Sequence, residues 1–140
     1  MVRRAEQLHT HTHTHTHTEV PILSKLSETY ILWNQYSVHM PKVSRYSLGS
    51  KIDELLVDLI QIILFASYAK KNEKLAAITK ASVKLDAVKF FLQLAWKSKA
   101  MKTAHYTLLS QPLNEIGKML GGWIKNAQKE NSQLQAPLGE

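Results

Sequence analysis

The chain has 140 residues, enough for one hydrophobic core and too few for two. It has no cysteine, which excludes a disulfide scaffold, a thiolate zinc site and a cysteine nucleophile, and 5 Gly and 4 Pro in a 44% apolar chain argue against a turn-rich β-sandwich. Lys and Arg outnumber Asp and Glu 18 to 11, so the net charge is +7, a balance that suits a polyanionic partner.

The first segment, residues 1–18, is expected to be disordered and low in complexity. From His9 to Thr18 it reads His-Thr five times. Alternation in an extended chain puts all five imidazoles on one side, a geometry for weak metal capture. Slippage on a CACACA repeat, or an added tag, writes the same pattern with no selection for metal, so no metal site is assigned. Arg3 and Arg4 are followed by no apolar stretch, which argues against a signal peptide. The longest uncharged apolar run, Leu59 to Ala69, is too short for a bilayer, which needs about 20 residues. With no cysteine, the chain fits a reducing, cytoplasmic setting.

A four-helix bundle is expected over residues 19–127. The first helix spans about Val20 to His39, with Ile22, Leu23, Leu26, Tyr30 and Trp33 at helical spacing. Pro41 ends it, and Met40 to Gly49 reads as a loop carrying Lys42 and Arg45, which join the candidate nucleic-acid and partner contacts. The second helix starts with Ser50 as N-cap, takes Asp53 and Glu54 at its positive end, and runs to about Ala69, where Lys70 and Lys71 suit its negative end. Asn72 is the expected cap of the third helix, about Glu73 to Lys97. The fourth spans about Thr103 to Ala127, and residues 128–140 read as a flexible tail. Short connections between helices of similar length favour an antiparallel up-down-up-down bundle, an all-α fold.

The second and third helices carry more apolar surface than one bundle uses. On the second, Ile52, Leu56, Leu59, Ile63 and Ala66 form one stripe, while Leu55, Ile60, Ile62, Leu64 and Phe65 spread beyond it. On the third, the polar sector is narrow: Thr79, Ser82, Asp86, Lys89, Gln93 and Lys97. Such helices are expected to face both the core and a neighbouring subunit, so a homo-oligomer is inferred. On the fourth, Tyr106, Leu109, Leu113, Ile116, Leu120, Trp123 and Ile124 form a stripe edged by Gly117 and Gly121, which read as sites of close helix approach.

No catalytic constellation assembles. The carboxylates make no Glu-x-x-His pair, and His39 and His105, the histidines outside the repeat, each read as a lone surface or capping residue. No nucleotide-binding glycine loop is present. The protein is therefore read as a non-enzyme with no cofactor. Charge is the informative feature. Lys70, Lys71, Lys74, Lys80, Lys84, Lys89, Lys97, Lys99 and Lys102 face only Glu73 and Asp86 over residues 70–104; nine against two is +7, the whole net charge. Such a stretch is an electrostatic footprint for phosphate, and the near absence of arginine points to backbone attraction without base reading. Asp86 is expected to pair with Lys89 one turn on.

Three blocks, Pro41 to Gly49, Lys84 to Leu92 and Glu115 to Lys125, resemble the accessory variability determinant (Avd) proteins of diversity-generating retroelements. Pro41-Lys42-Val43-Ser44-Arg45-Tyr46-Ser47-Leu48-Gly49 is similar to their loop into the second helix. Lys84-Leu85-Asp86-Ala87-Val88-Lys89-Phe90-Phe91-Leu92 is similar to their third helix. Glu115-Ile116-Gly117-Lys118-Met119-Leu120-Gly121-Gly122-Trp123-Ile124-Lys125, the most specific block, is similar to their fourth. Together they span about Val20 to Lys125.

The resemblance implies a pentameric barrel of four-helix bundles with a positively charged surface. It implies a cytoplasmic protein of a bacterium, archaeon or phage that binds the retroelement reverse transcriptase, RNA and DNA. Such proteins support mutagenic retrohoming without a catalytic site. It also implies that Lys89 occupies a basic position used for the polymerase contact, whereas Gln93 stands where the family can carry a second basic residue. The His-Thr repeat lies outside the family pattern. The alternative is a structural bundle oligomer of the 23S rRNA intervening-sequence type, whose lysines serve solubility.

Overall fold

A computed structural model describes residues 19–135 of the chain, with side chains described from residue 21 to residue 132. Within them the chain is all-helical. Helix α1 spans Glu19–Ser37. Helix α2 consists of a helical turn Lys42–Ser44, a π-helical turn Arg45–Gly49 and the long run Ser50–Tyr68. Helix α3 spans Lys71–Lys97 and α4 spans Thr103–Gln135. Short connections force each helix antiparallel to the last, and α2 packs on α3, α3 on α4, and α1 on both α4 and α2. The expected His-Thr segment and the last residues of the expected tail lie outside the described residues.

The core follows the 3.6-residue period. Ile22, Leu26 and Trp33 enter from α1, and Ile52, Leu56, Leu59, Ile63 and Ala66 from α2. Ile78, Ala81, Leu85, Val88, Leu92 and Ala95 enter from α3, and Leu109, Leu113, Ile116, Leu120 and Trp123 from α4. Alanines on α3 let that helix sit close to its neighbours. A buried Leu-sized side chain contributes about 1.5–3 kcal/mol relative to exposure, so these side chains hold the bundle together.

The expected loop from Met40 to Gly49 is mostly helical. Pro41 starts a new helix instead of a coil, because its fixed φ of −55° suits a helix start and its carbonyl accepts the Arg45 N–H at 2.8 Å. Arg45 then reaches back: Nη2 donates to the Val38 carbonyl at 3.0 Å and to that of Met40 at 3.3 Å. It closes the C-terminal end of α1 with a cation, which the helix dipole favours. Ser50 is consequently inside a helix and not its N-cap; its Oγ lies 3.4 Å from the Arg45 carbonyl, across the π turn. Asp53, expected at a helix start, instead ties α2 to α1. Its Oδ1 accepts from Tyr30 Oη at 2.9 Å and Trp33 Nε1 at 3.1 Å. That carboxylate holds the Tyr30 hydroxyl above the usual tyrosine range, through the hydrogen bond first and burial second.

Helix α3 begins at Lys71, not after Asn72. Lys70 is its extended N-cap, without a side-chain cap bond, and its carbonyl accepts the N–H groups of Glu73 and Lys74. Helix α3 ends in a Schellman motif. Lys99 N–H donates to the Trp96 carbonyl at 3.0 Å and Ala100 N–H to the Ala95 carbonyl at 2.9 Å, with Ala95 and Ala100 both buried. The position between them requires a left-handed backbone, and Lys99 adopts it with φ 67°. Glycine ordinarily fills that position; an L side chain there costs about 1–2 kcal/mol. Helix α4 continues beyond the expected Ala127 and carries Pro112 in its interior. No helix among the described residues is long and apolar enough to cross a membrane.

Candidate nucleic-acid interface

The lysines of the basic stretch, residues 70–104, are divided by the fold into groups with different surroundings. Lys84 and Lys80 lean toward α2: Lys84 Nζ lies 3.4 Å from Asp58 Oδ2, and Lys80 lines an α2–α3 groove with Phe65 and Glu73. Lys74 and Lys89 lean toward α4. Lys74 Nζ sits 5.9 Å from the centroid of Trp123, a cation–π contact. Lys89 Nζ lies 3.2 Å and Leu85 Cδ2 3.5 Å from where a Cβ on Gly117 would stand, so this glycine makes room for two side chains of α3 and not for its backbone. Gly121 and Gly122 meet nothing within 4 Å; the expected close approach at Gly121 does not occur within one chain. Asp86 forms no ion pair with Lys89 among the described residues, because the ammonium is drawn into the α3–α4 groove.

Between these groups the outward face of α3 is apolar. Val83, Phe90 and Leu94 repeat at i, i+7 and i+11 and are all exposed, Val83 at 65% and Phe90 at 59%. Leu64, Phe65 and Tyr68 are exposed on the adjoining end of α2. Lys70 lines a groove of about 660 Å³ with these three residues and Glu73, and Lys71 is exposed at the first residue of α3.

The remaining lysines converge at the opposite end of the bundle, where the α1–α2 and α3–α4 connections meet. Lys97, Lys99 and Lys102 line a cavity of about 570 Å³ together with His39, Pro41, Trp96 and Thr103. Trp96 is fixed there: its Nε1 donates to Thr103 Oγ1 at 3.0 Å and its ring stacks on Tyr106 at 4.7 Å and 3°. Beside it His105 stacks on Tyr36 at 4.0 Å and 3°, with His39 at 5.7 Å. Burial holds the His105 imidazolium below the usual histidine range, and the nearby Lys102 and His39 charges push the same way. Lys42 is exposed at this end, whereas the Arg45 guanidinium is spent on the α1 carbonyls, with Nε buried and unpartnered.

The histidines are the residues that sequence reasoning missed. Each was read alone, yet the fold brings them together with two aromatic stacks and three lysines. A legible signal existed. Residues 29–52 and 87–114, the two stretches that the up-down topology brings to this end, contain no Asp or Glu.

A family model described as bAvd-like matches residues 23–127, from the second turn of α1 deep into α4. No curated protein and no solved structure matches. The match covers most of the chain and all four helices of the bundle, and by it the chain belongs to the bAvd-like family.

Proposed function

We propose that this protein is a non-catalytic accessory protein of a diversity-generating retroelement, a cytoplasmic partner of its reverse transcriptase that also binds RNA and DNA in support of mutagenic retrohoming. The observation that carries the reading is the family match over residues 23–127. Two features of the molecule support it. The exposed apolar stripe of Val83, Phe90 and Leu94, together with exposed Leu64, Phe65 and Tyr68 at the end of α2, is what a chain that assembles with copies of itself leaves uncovered, and a pentamer is the proposed assembly. The lysines bordering that stripe, Lys84 and Lys89 among them, supply a basic surface for the polymerase contact.

The test is genetic and biochemical. Removing the gene from its retroelement abolishes adenine-directed diversification, and the wild-type gene restores it. Replacing Lys84 and Lys89 with Glu weakens co-purification with the reverse transcriptase while helical content is retained. Unimpaired diversification without the gene overturns the reading. Light scattering gives a closed oligomer of five; a monomer removes the assembly.

A further inference from the structure

We infer that the end of the bundle where the α1–α2 and α3–α4 connections meet is a binding site for single-stranded nucleic acid, with phosphodiester groups on Lys97, Lys99 and Lys102 and a base against Trp96. This rests on the nucleic-acid reading above and adds a place and a strand state to it.

Three independent observations converge. The first is electrostatic. Among the described residues Lys97, Lys99 and Lys102 have no ion pair, and the stretches that build this end contain no carboxylate. Of the acidic residues that flank those stretches, Asp53 is engaged by Tyr30 and Trp33 and Glu115 by Lys25, and Asp86 lies eleven residues, about 16 Å of helix, before Lys97. Uncompensated cations in a concave site concentrate an anionic ligand. The second is shape. A cavity of about 570 Å³ lined by a fixed indole accommodates an unstacked base, and a duplex offers none. Aromatic platforms in a cationic groove are how single strands are held without sequence preference.

The third is backbone strain. Lys99 holds a left-handed conformation at a Schellman position that glycine fills without strain. A lysine kept there at a cost in stability is accounted for by what its ammonium does. An acidic peptide satisfies the cations but leaves the indole without a role.

The experiment uses the full chain and 12-nucleotide oligo-U RNA and oligo-dT DNA, read by fluorescence anisotropy. The triple variant Lys97→Gln, Lys99→Gln, Lys102→Gln is expected to lose at least tenfold in affinity. Its log affinity–log salt slope flattens by about two, at about 0.7 per single-strand phosphate. The charge-matched triple Lys118→Gln, Lys125→Gln, Lys129→Gln, on exposed α4, loses less than threefold. Lys99→Gly gives the signature that a structural role cannot: Tm rises by roughly 4 °C while affinity falls. The RNA and DNA arms report which strand chemistry is preferred.

Unchanged affinity in the first triple overturns the site and leaves the accessory-protein reading standing, as does an equal loss in both triples. No binding of either oligonucleotide by the wild-type chain overturns the site together with the nucleic-acid part of that reading. Displacement of the oligonucleotide by polyglutamate at equal charge concentration reassigns the site to an acidic protein and overturns the inference.

Discussion

The two ends of α3 both carry lysines, and their surroundings differ. Toward its start, Lys74 lies over Trp123, Lys80 shares a groove with Glu73, and Lys84 faces Asp58. Toward its end, Lys97, Lys99 and Lys102 crowd around a cavity with two histidines nearby and no carboxylate. The difference teaches that lysine count along a chain measures solubility and attraction together. Only the three-dimensional neighbourhood separates lysines with a neighbour inside the chain from lysines with no counter-ion.

The comparison is sharpened most strongly at Asp53, the first carboxylate that α2 carries beyond the basic end. If it serves the fold, Asp53→Ala leaves the buried Trp33 Nε1 without an acceptor and costs about 2 kcal/mol in denaturant unfolding. Oligonucleotide affinity stays at the wild-type value. A gain in affinity with no loss of stability would show that Asp53 acts as a counter-ion to the basic end.

At the opposite sign, Lys99→Gly relieves the left-handed backbone and stabilises the chain by about 1 kcal/mol in the same measurement. No lysine in the first half of α3 has this property, because those positions have ordinary helical backbones and glycine there destabilises by about 1 kcal/mol. Lys84→Gly tests that contrast directly.

A smaller effect is expected from the ion pair itself. Lys84 and Asp58 are both about a third exposed, so the Asp58→Asn change, which keeps the shape, costs under about 0.5 kcal/mol. The loss shrinks further in high salt. A larger, salt-independent loss would place the pair in the core's energetics.

The smallest effect concerns pH. The folded state holds the His105 proton affinity below the ordinary histidine value, so the unfolded chain binds that proton more readily. Stability contributed by neutral His105 is present above the ordinary histidine pKa and lost as pH falls through the lowered folded value. Tm therefore drops on acidification below about pH 6.5, and His105→Gln flattens the drop. Bound oligonucleotide, by neutralising Lys102, flattens it too.

Much of the fold was legible in the sequence because it depends on local period. The stripe Ile52, Leu56, Leu59, Ile63 and Ala66 is buried as its spacing predicts. Of the five residues left outside it, Leu64 and Phe65 are exposed as the surplus of apolar surface implies, whereas Ile60 and Ile62 are half-buried and Leu55 is buried in the core. The segment Met40 to Gly49 was not legible. Its helical turns depend on an arginine reaching back to carbonyls of α1, and no propensity scale records a contact made by a side chain across a connection.

The same limit governs the site. A window count found the excess of lysines over residues 70–104, yet Lys84 and Asp58 stand 26 residues apart and their pairing needs the bundle. His39 and His105 become neighbours only when antiparallel helices bring two connections together. Gly117 reads as a site of close helix approach, and what stands against it are two side chains of α3, the Lys89 ammonium and a Leu85 methyl group.

Photocrosslinking tests the central claim most directly. A 12-nucleotide RNA containing 4-thiouridine is bound to the full-length protein, irradiated, and the crosslinked peptides are identified by mass spectrometry. The account predicts crosslinks at Trp96 and in the stretch from Lys97 to Thr103, with a second set near His39. Crosslinks confined to the stretch from Lys74 to Lys84, with none at the α3–α4 connection, would contradict it.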